Sequence, residues 1–510
     1  MHIFCPDMSA PTTAHDHPGG RHRTGIPGLD EILGGGLPAR RLYLIQGDPG
    51  ASKTTLALRF LLEGVKDGEP SLYVTLSESR EELGDIARSH GWSIDGLSIV
   101  EVSSDATADE SETTLFQPAE VELGERMRTL LEEIDRLKPK RIVLDSCSEL
   151  RLLSQSALRY RRQILALKQR LTDFGSTILL LDNPVPGSPD MLLQSVVHGV
   201  LSMEQLSPLY GAERRRLRVV KLRGLKYRGG YHDFIIKTGG VEVFPRLVAA
   251  EHHAEFRRDP LSCGIPEIDA LLGGGADRGT SLLAMGPSGA GKSAVATQFV
   301  LEAARRGERA AVFAFDESAG MFLARAESLG MDVRLHLESG RVSLQQVDPS
   351  ELSPGEFTHA VRRVVEEEGA QVVVIDSLVG FLSAMPQEQF MALQLHELLS
   401  YLGQRGVLTI LTLTQHGLVG ADTSAPVELS YLADAVLLFR YFEVGGQVRK
   451  AISVLKKRSG RHENTIRELM LGPDGIRVGP PLARFQGILT GNPLPLGAER
   501  HTGTPYLGAE

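Results

Sequence analysis

Residues Gly286-Pro287-Ser288-Gly289-Ala290-Gly291-Lys292-Ser293 meet the pattern GxxxxGK[ST] at every constrained position. In a phosphate-binding loop of this form, Gly286, Gly289 and Gly291 let backbone N–H groups turn inward on a triphosphate. Lys292 then reaches the β and γ phosphates, and the Ser293 hydroxyl holds Mg2+. The pattern carries meaning only between a buried strand and the helix it opens. Thr280 to Met285 reads as that strand, and the apolar-periodic run from Ala294 to Ala304 as the helix.

The surroundings of this loop occur twice. Gly264-Ile265-Pro266-Glu267-Ile268-Asp269, followed by Leu272-Gly273-Gly274-Gly275, echoes Gly25-Ile26-Pro27-Gly28-Leu29-Asp30 and Leu33-Gly34-Gly35-Gly36. Gly25 to Gly264, Asp30 to Asp269 and Gly47 to Gly286 all share an offset of 239 residues, which marks duplication of a whole domain. Each half alternates strand and helix, so the expected fold class is α/β: two tandem P-loop NTPase domains of RecA-like type, each a mostly parallel sheet flanked by helices. Buried strands are expected at Leu72 to Leu76, Arg141 to Leu144 and Thr177 to Leu181, with counterparts at Ala310 to Phe315, Gln371 to Ile375 and Val407 to Thr412. The domains are expected at 23–248 and 261–485, with a linker at 249–260 and flexible tails at 1–22 and 486–510.

At 510 residues the chain exceeds what one hydrophobic core supports. A composition of 42% hydrophobic and 23% charged residues is that of a soluble globular protein, and no apolar run approaches the roughly 18 residues of a membrane span. The net charge of −9 argues against a broadly basic nucleic-acid surface. Cys5, Cys147 and Cys263 lie far apart with no CxxC, which fits a reducing cytoplasm. Four histidines, His2, His15, His17 and His22, fall within a low-complexity terminus and read as part of a solvated tail, a metal site being the alternative.

A phosphate loop needs an oxygen ligand for Mg2+ beside the γ phosphate, and an apolar strand ending in an acid supplies it. Asp376 after Val372 to Ile375, and Asp145 after Ile142 to Leu144, stand at such strand ends, where the alternative reading is a helix cap. A further acid ends the intervening strand: Glu317 in Phe315-Asp316-Glu317-Ser318, matched by Glu78 in Leu76-Ser77-Glu78-Ser79. Such a carboxylate can act as general base on an attacking water or hydroxyl, and Asp316, matched by Ser77, stands beside it as a further catalytic candidate.

The first loop, Gly47-Asp48-Pro49-Gly50-Ala51-Ser52-Lys53-Thr54, departs from the pattern at Ser52, where a glycine is expected. A Cβ there strains the backbone or crowds the phosphate at a cost on the order of 1 to 3 kcal/mol, so nucleotide binding with reduced affinity is expected in this half. Finally, Lys221 with Arg223 and Lys456 with Arg458 sit on strands near the end of each half. By strand alternation the members of each pair face the same way, either as a solvated edge or as groups reaching a neighbour's γ phosphate.

These features in this order, together with Lys456-x-Arg458, His462 and Ile466-Arg467-Glu468-Leu469, resemble the KaiC-type circadian clock protein family over about residues 20 to 480. The resemblance implies two domains, CI and CII, stacked as double rings of six subunits with ATP at the subunit interfaces. In that family CI hydrolyses ATP and CII phosphorylates its own serine and threonine. It makes Gly47, Gly50, Ser52, Lys53, Thr54, Thr55, Gly286, Gly289, Gly291, Lys292 and Ser293 the nucleotide contacts, and Thr54, Asp145, Ser293 and Asp376 the Mg2+ side. Glu78 and Glu317 become the catalytic acids, while Lys221, Arg223, Lys456 and Arg458 become groups that reach ATP across the interface.

The family's adjacent Ser-Thr phosphorylation pair corresponds to Ser430-Tyr431, so only Ser430 fits, and Ala433 replaces a following threonine. Where the family carries Arg-Gln-Phe this chain has Glu388-Gln389-Phe390, whereas the first half has Arg161-Arg162. The expectation is therefore a cytoplasmic, homo-oligomeric ATPase, a hexamer using ATP and Mg2+, with Ser430 as a candidate autokinase site. The alternatives are an ATP-dependent signalling scaffold for a partner such as a sensor kinase, or a DNA-dependent ATPase. The acidic charge and the lack of interleaved basic and aromatic residues count against the last of these.

Overall fold

The computed structural model describes residues 20–102, 128, 131–154, 156–183, 191–208, 210–383, 391–415, 431–490 and 494–495. The chain divides into two compact units that meet at Arg246 and Leu247. Leu247 and Ala249, on either side of the start of the stretch expected as linker, are buried in the second unit's core.

In the first unit the central strand β1 (Leu42–Gly47) is followed by β2 (Ser71–Thr75), β3 (Ser98–Glu101), β4 (Arg141–Asp145), β5 (Thr177–Asp182), β6 (Gly199–Leu206), β7 (Arg214–Leu222), β8 (His232–Lys237) and β9 (Gly240–Phe244). They form one sheet in the order β9-β8-β7-β6-β1-β5-β4-β2-β3. From β3 to β6 every neighbouring pair is parallel, and β7 to β9 continue as antiparallel hairpins. The second unit repeats this plan with β10 (Ser281–Gly286), β11 (Arg309–Ala314), β12 (Val342–Gln346), β13 (Ala370–Asp376), β14 (Leu408–Thr414), β15 (Ala435–Val444), β16 (Gln447–Lys457), β17 (Ile466–Gly472) and β18 (Gly475–Pro481). Its order, β18-β17-β16-β15-β10-β14-β13-β11-β12, is the first sheet's order carried over strand for strand. The α/β class and the tandem repeat follow directly.

Strand alternation explains why the parallel strands are so uniformly apolar. Tyr43, Ile45, Tyr73, Val143 and Leu179 pack on one face of the first sheet, and Leu42, Leu44, Leu72, Ile142 and Leu180 on the other. Helices cover both faces, so both sets are buried. Helix α1 (Lys53–Lys66) lays Leu56, Phe60 and Leu61 on the first face, and α3 (Ala157–Asp173) lays Tyr160, Ile164 and Leu167 on the second. In the second unit α4 (Lys292–Arg305) covers one face, while α6 (Pro354–Glu366) and α7 (Met391–Gln404) cover the other.

The triple glycines close short ribbons ahead of each central strand. Gly36 and Gly275 have φ of 114° and 126°, and a Cβ on either would lie 2.5 Å from the His22 carbonyl or 2.6 Å from that of Leu261. Only glycine fits that left-handed, close approach. The ribbons pair Arg21–His22 with Leu37–Pro38 and Pro260–Leu261 with Ala276–Asp277. Beyond residue 485, Ile488 is buried against Phe442 and Ala451, and Phe485–Gln486 pairs with Leu494–Pro495. Among the described residues no helix is long and apolar enough to cross a membrane.

Candidate functional site

In each unit the phosphate loop leaves the carboxyl end of the central strand and runs straight into a helix. Lys53 folds back over its own loop, donating to the carbonyls of Gly47 at 2.6 Å and Asp48 at 2.9 Å. Lys292 does the same to Gly286 at 3.0 Å and Pro287 at 2.8 Å. Burial pushes both ammonium groups down in pKa, Lys292 to about 8, although Asp376 and Asp316 pull the latter back up. A phosphate arriving there would give each buried cation a counter-charge. Thr54 and Ser293 occupy the second helical position, and Thr55 is buried behind Thr54.

The two loops differ where the sequence flagged a departure. Gly291 has φ 109° and ψ 6°, and Ser52 takes a left-handed conformation at φ 63° and ψ 35°. The loop shape is thus kept, with a side chain on a backbone that costs an L-residue about 1 to 2 kcal/mol.

Asp145 and Asp376 close β4 and β13 beside the loops. Asp145 accepts from the Tyr73 hydroxyl at 2.6 Å and from Thr54 Oγ1 at 3.3 Å. Burial raises its pKa, and the hydrogen bonds from Tyr73 and Thr54 and the charge of Lys53 oppose that rise. Asp376 is held instead by the hydroxyl of Thr412 on β14. Sequence reasoning missed both partners; an inward polar side chain on an otherwise apolar strand is the signal that marks them. The donors facing the loop are all hard oxygens, a hydroxyl beside a carboxylate, which suits Mg2+. Among the described residues no three His, Cys, Asp or Glu side chains gather into a metal cluster. A Mg2+ ion here would therefore draw its remaining ligands from nucleotide phosphates and water, as is usual for this ion.

Glu78 and Glu317 each sit one residue before a helix N-cap, with Asp316 one residue earlier still. Ser79 caps α2 (Arg80–Ser89) in a capping box with Glu82, and Ser318 caps α5 (Ala319–Ser328). This fixes the preceding glutamates just beyond the carboxyl ends of β2 and β11. Here the two halves part. Oε2 of Glu78 is buried with no hydrogen-bond partner, and its carboxyl is pushed up to about 7, by burial first and then by the charges of Asp145 and Glu82. Glu317 instead receives two bonds from Arg325, Nη2 to Oε1 at 2.5 Å and Nε to Oε2 at 3.3 Å. Asp316 accepts from the Ser377 hydroxyl.

The basic pairs lie elsewhere. Lys221 on β7 stands opposite Val200, whose parallel neighbour Leu44 is three residues, about 10 Å, before the loop. Lys456 opposite Val436 is placed alike. Within one chain, then, they do not join the loops. Lys221 donates to the Gln194 carbonyl and Arg223 to that of Ser195 at 2.7 Å. Lys456 donates to Ala433 at 2.8 Å, and Arg458 to the Tyr431 carbonyl at 2.6 Å and to Asp434 at 3.4 Å. At this same end of the first sheet a cavity of 450 Å³ is lined by Arg40, Arg41, Lys168, His198 and Arg223. Its counterpart in the second unit, 580 Å³, is lined by Arg258, Arg278 and Ser459 among others. Arg161 and Arg162 are exposed on α3. Ser430 and Glu388-Gln389-Phe390 lie outside the described residues.

The KaiC ATPase family model matches residues 22–248 and again 261–483. The chain is similar to the circadian clock protein KaiC3 of Synechocystis sp., 28% identical over 484 residues that cover 92% of this chain and 94% of the relative. It is also similar to the circadian clock oscillator proteins KaiC of Picosynechococcus sp., 28% identical with 92% of each covered, and of Synechococcus elongatus, 27% identical with 96% and 94% covered.

The unpartnered carboxyl of Glu78 has a measurable consequence. Folded, it keeps its proton up to about pH 7, against 4.5 in an unfolded chain. Its contribution to stability is therefore full below pH 4.5, falls as pH rises toward 7, and is lost above that. In thermal melts at pH 8, Glu78→Gln is expected to raise the first unit's transition by about 2 to 4 °C, the shift that one kcal/mol brings at this size. The gain should vanish below pH 4.5, and a variant that melts lower than the parent at pH 8 would contradict this placement of Glu78.

Proposed function

This chain belongs to the KaiC family of ATPases, and on that footing we propose that it binds ATP with Mg2+ at both loops, hydrolyses it, and assembles head to tail into a ring, a hexamer of two tiers. One observation carries the reading: in both units the phosphate loop and the basic pair lie toward opposite ends of the same sheet. A site whose two halves sit on opposite edges of one domain is completed by a second copy. Repeating such a heterologous contact closes a ring when the rotation allows it.

In this arrangement Lys53 and Lys292 leave their own loop carbonyls for the phosphates, and Thr54 with Asp145, and Ser293 with Asp376, present oxygens to Mg2+. That ion, when bound with the nucleotide, supplies charge neutralisation on the β and γ phosphates. Glu78 takes the proton of the attacking water, its raised pKa matching the operating pH. A neighbour's Arg223 or Arg458 would meet the charge that develops on the γ phosphoryl group. A partner such as a sensor kinase could read the assembled state.

Autophosphorylation of Ser430 is a second activity that one contact favours. Arg458 holds the carbonyl of Tyr431, the next residue, and so ties this segment to the basic pair that would face a neighbour's ATP.

Native mass measured with and without ATP tests the assembly, with six chains expected when ATP is present. Mixing a Lys53→Ala chain with an Arg223→Ala chain, each impaired at the first loop, should then restore part of the hydrolysis lost there. A monomer under both conditions, or no recovery on mixing, removes the shared site. For the second activity, γ-labelled ATP should label the parent and not Ser430→Ala; label that survives the substitution excludes that residue.

A further inference from the structure

The helices that follow the two candidate bases, Arg80–Ser89 and Ala319–Ser328, correspond residue for residue at the offset of 239. Leu83 and Ala87 of α2 are buried as Phe322 and Ala326 of α5 are. On the edge that faces the glutamate, however, two positions differ in charge. Glu82, whose carboxylate helps raise the pKa of Glu78, corresponds to Met321, and Ile86, half-buried against the first core, corresponds to Arg325. The first half thus buries its acid beside like charges and has no cation at this helix position. The second half gives its acid a cation in a two-bond fork at 2.5 and 3.3 Å, with both side chains about a quarter exposed. Arg325 also lies over the Phe322 ring at 5.0 Å, and its Nη1 is buried without a hydrogen-bond partner. The ion pair can therefore open without a second hydrogen bond at Nη1 having to break.

In hydrolysis the water oxygen bonds to the γ phosphorus while the bond from phosphorus to the bridging oxygen breaks, its electron pair leaving with ADP. The water's proton goes to the carboxylate and then to solvent. A guanidinium fork on both oxygens fixes the carboxylate toward Arg325 and sets a positive charge beside the proton it would accept, so the fork has to loosen as that proton arrives. We propose that Arg325 is a positioning residue that locks Glu317 in an ion pair and so restrains hydrolysis at the second loop, a restraint the first loop lacks because Ile86 stands in its place.

This rests on the ATPase reading above, and the test separates the two. In the full chain with Lys53→Ala silencing the first loop, Arg325→Ile, which copies the first half, should raise kcat about tenfold or more, within reach of what a freed general base supplies, with KM changed less than about twofold. Arg325→Gln should rise in the same sense, whereas Arg325→Lys, which keeps a cation on the helix, should stay within about twofold of its parent. Adding Glu317→Gln should remove the gain. Loss of fold cannot produce such a rise, and two different neutral variants guard against one of them misfolding. If neither neutral variant gains, or if the gain survives Glu317→Gln, the lock is overturned while hydrolysis through Glu78 still upholds the ATPase reading. If the parent chain with both loops intact hydrolyses no ATP, that reading falls and the lock with it.

Discussion

A lysine ammonium turned onto the carbonyls of its own loop is the interaction around which each unit is arranged. Lys53 on Gly47 and Asp48, and Lys292 on Gly286 and Pro287, hold the loop closed over a positive charge that is half-buried in the first unit and buried in the second. Such a charge is costly unless compensated, and much of the surroundings supplies compensation. Asp145 and Asp376 are carried there by the ends of the strands next but one to the central strand, and their own burial is relieved by Tyr73 and Thr412. Carbonyls and carboxylates together make a place that a phosphate with a divalent cation completes. The sheet order matters because it alone sets which strand ends converge on that lysine.

Duplication preserved this arrangement and varied what lies around it. The two loops keep one shape although one of them has serine in the left-handed position. The two aspartates keep one position although one is held by a tyrosine from the strand on one side and the other by a threonine from the strand on the opposite side. The sharpest divergence falls on the glutamates, one buried beside like charges and the other in a fork with Arg325. Nucleotide binding depends on the shared part, and the chemistry after binding depends on the divergent part. The more regular loop accordingly belongs to the half whose proposed base is restrained.

Much of this was legible in the sequence. The loops, the repeat, the alternation of strand and helix and the acids at strand ends are local patterns, and a local pattern survives without knowledge of what packs against it. Ser52 could be flagged because the position, not only the residue, has a known backbone requirement. Arg325 could not be, since an arginine on the outer edge of a helix has the composition of a solvated face until the helix is docked eight residues from its partner. Tyr73 reads as one more large core residue for the same reason. The place of Lys221 and Lys456 at the far end of the sheet depends on strand direction: an antiparallel return puts a residue near the end of the domain back at the start of the central strand.

Two loops of like form thus carry unequal bases, Glu78 without a partner and Glu317 restrained by Arg325. Steady-state ATP hydrolysis by the full-length Glu78→Gln and Glu317→Gln chains, each checked to bind ATP at both loops, tests it directly. Glu78→Gln is expected to lose about a hundredfold, the lower end of what a general base contributes, while Glu317→Gln stays within about twofold of the parent. Loss of most hydrolysis on Glu317→Gln with little change on Glu78→Gln would contradict it.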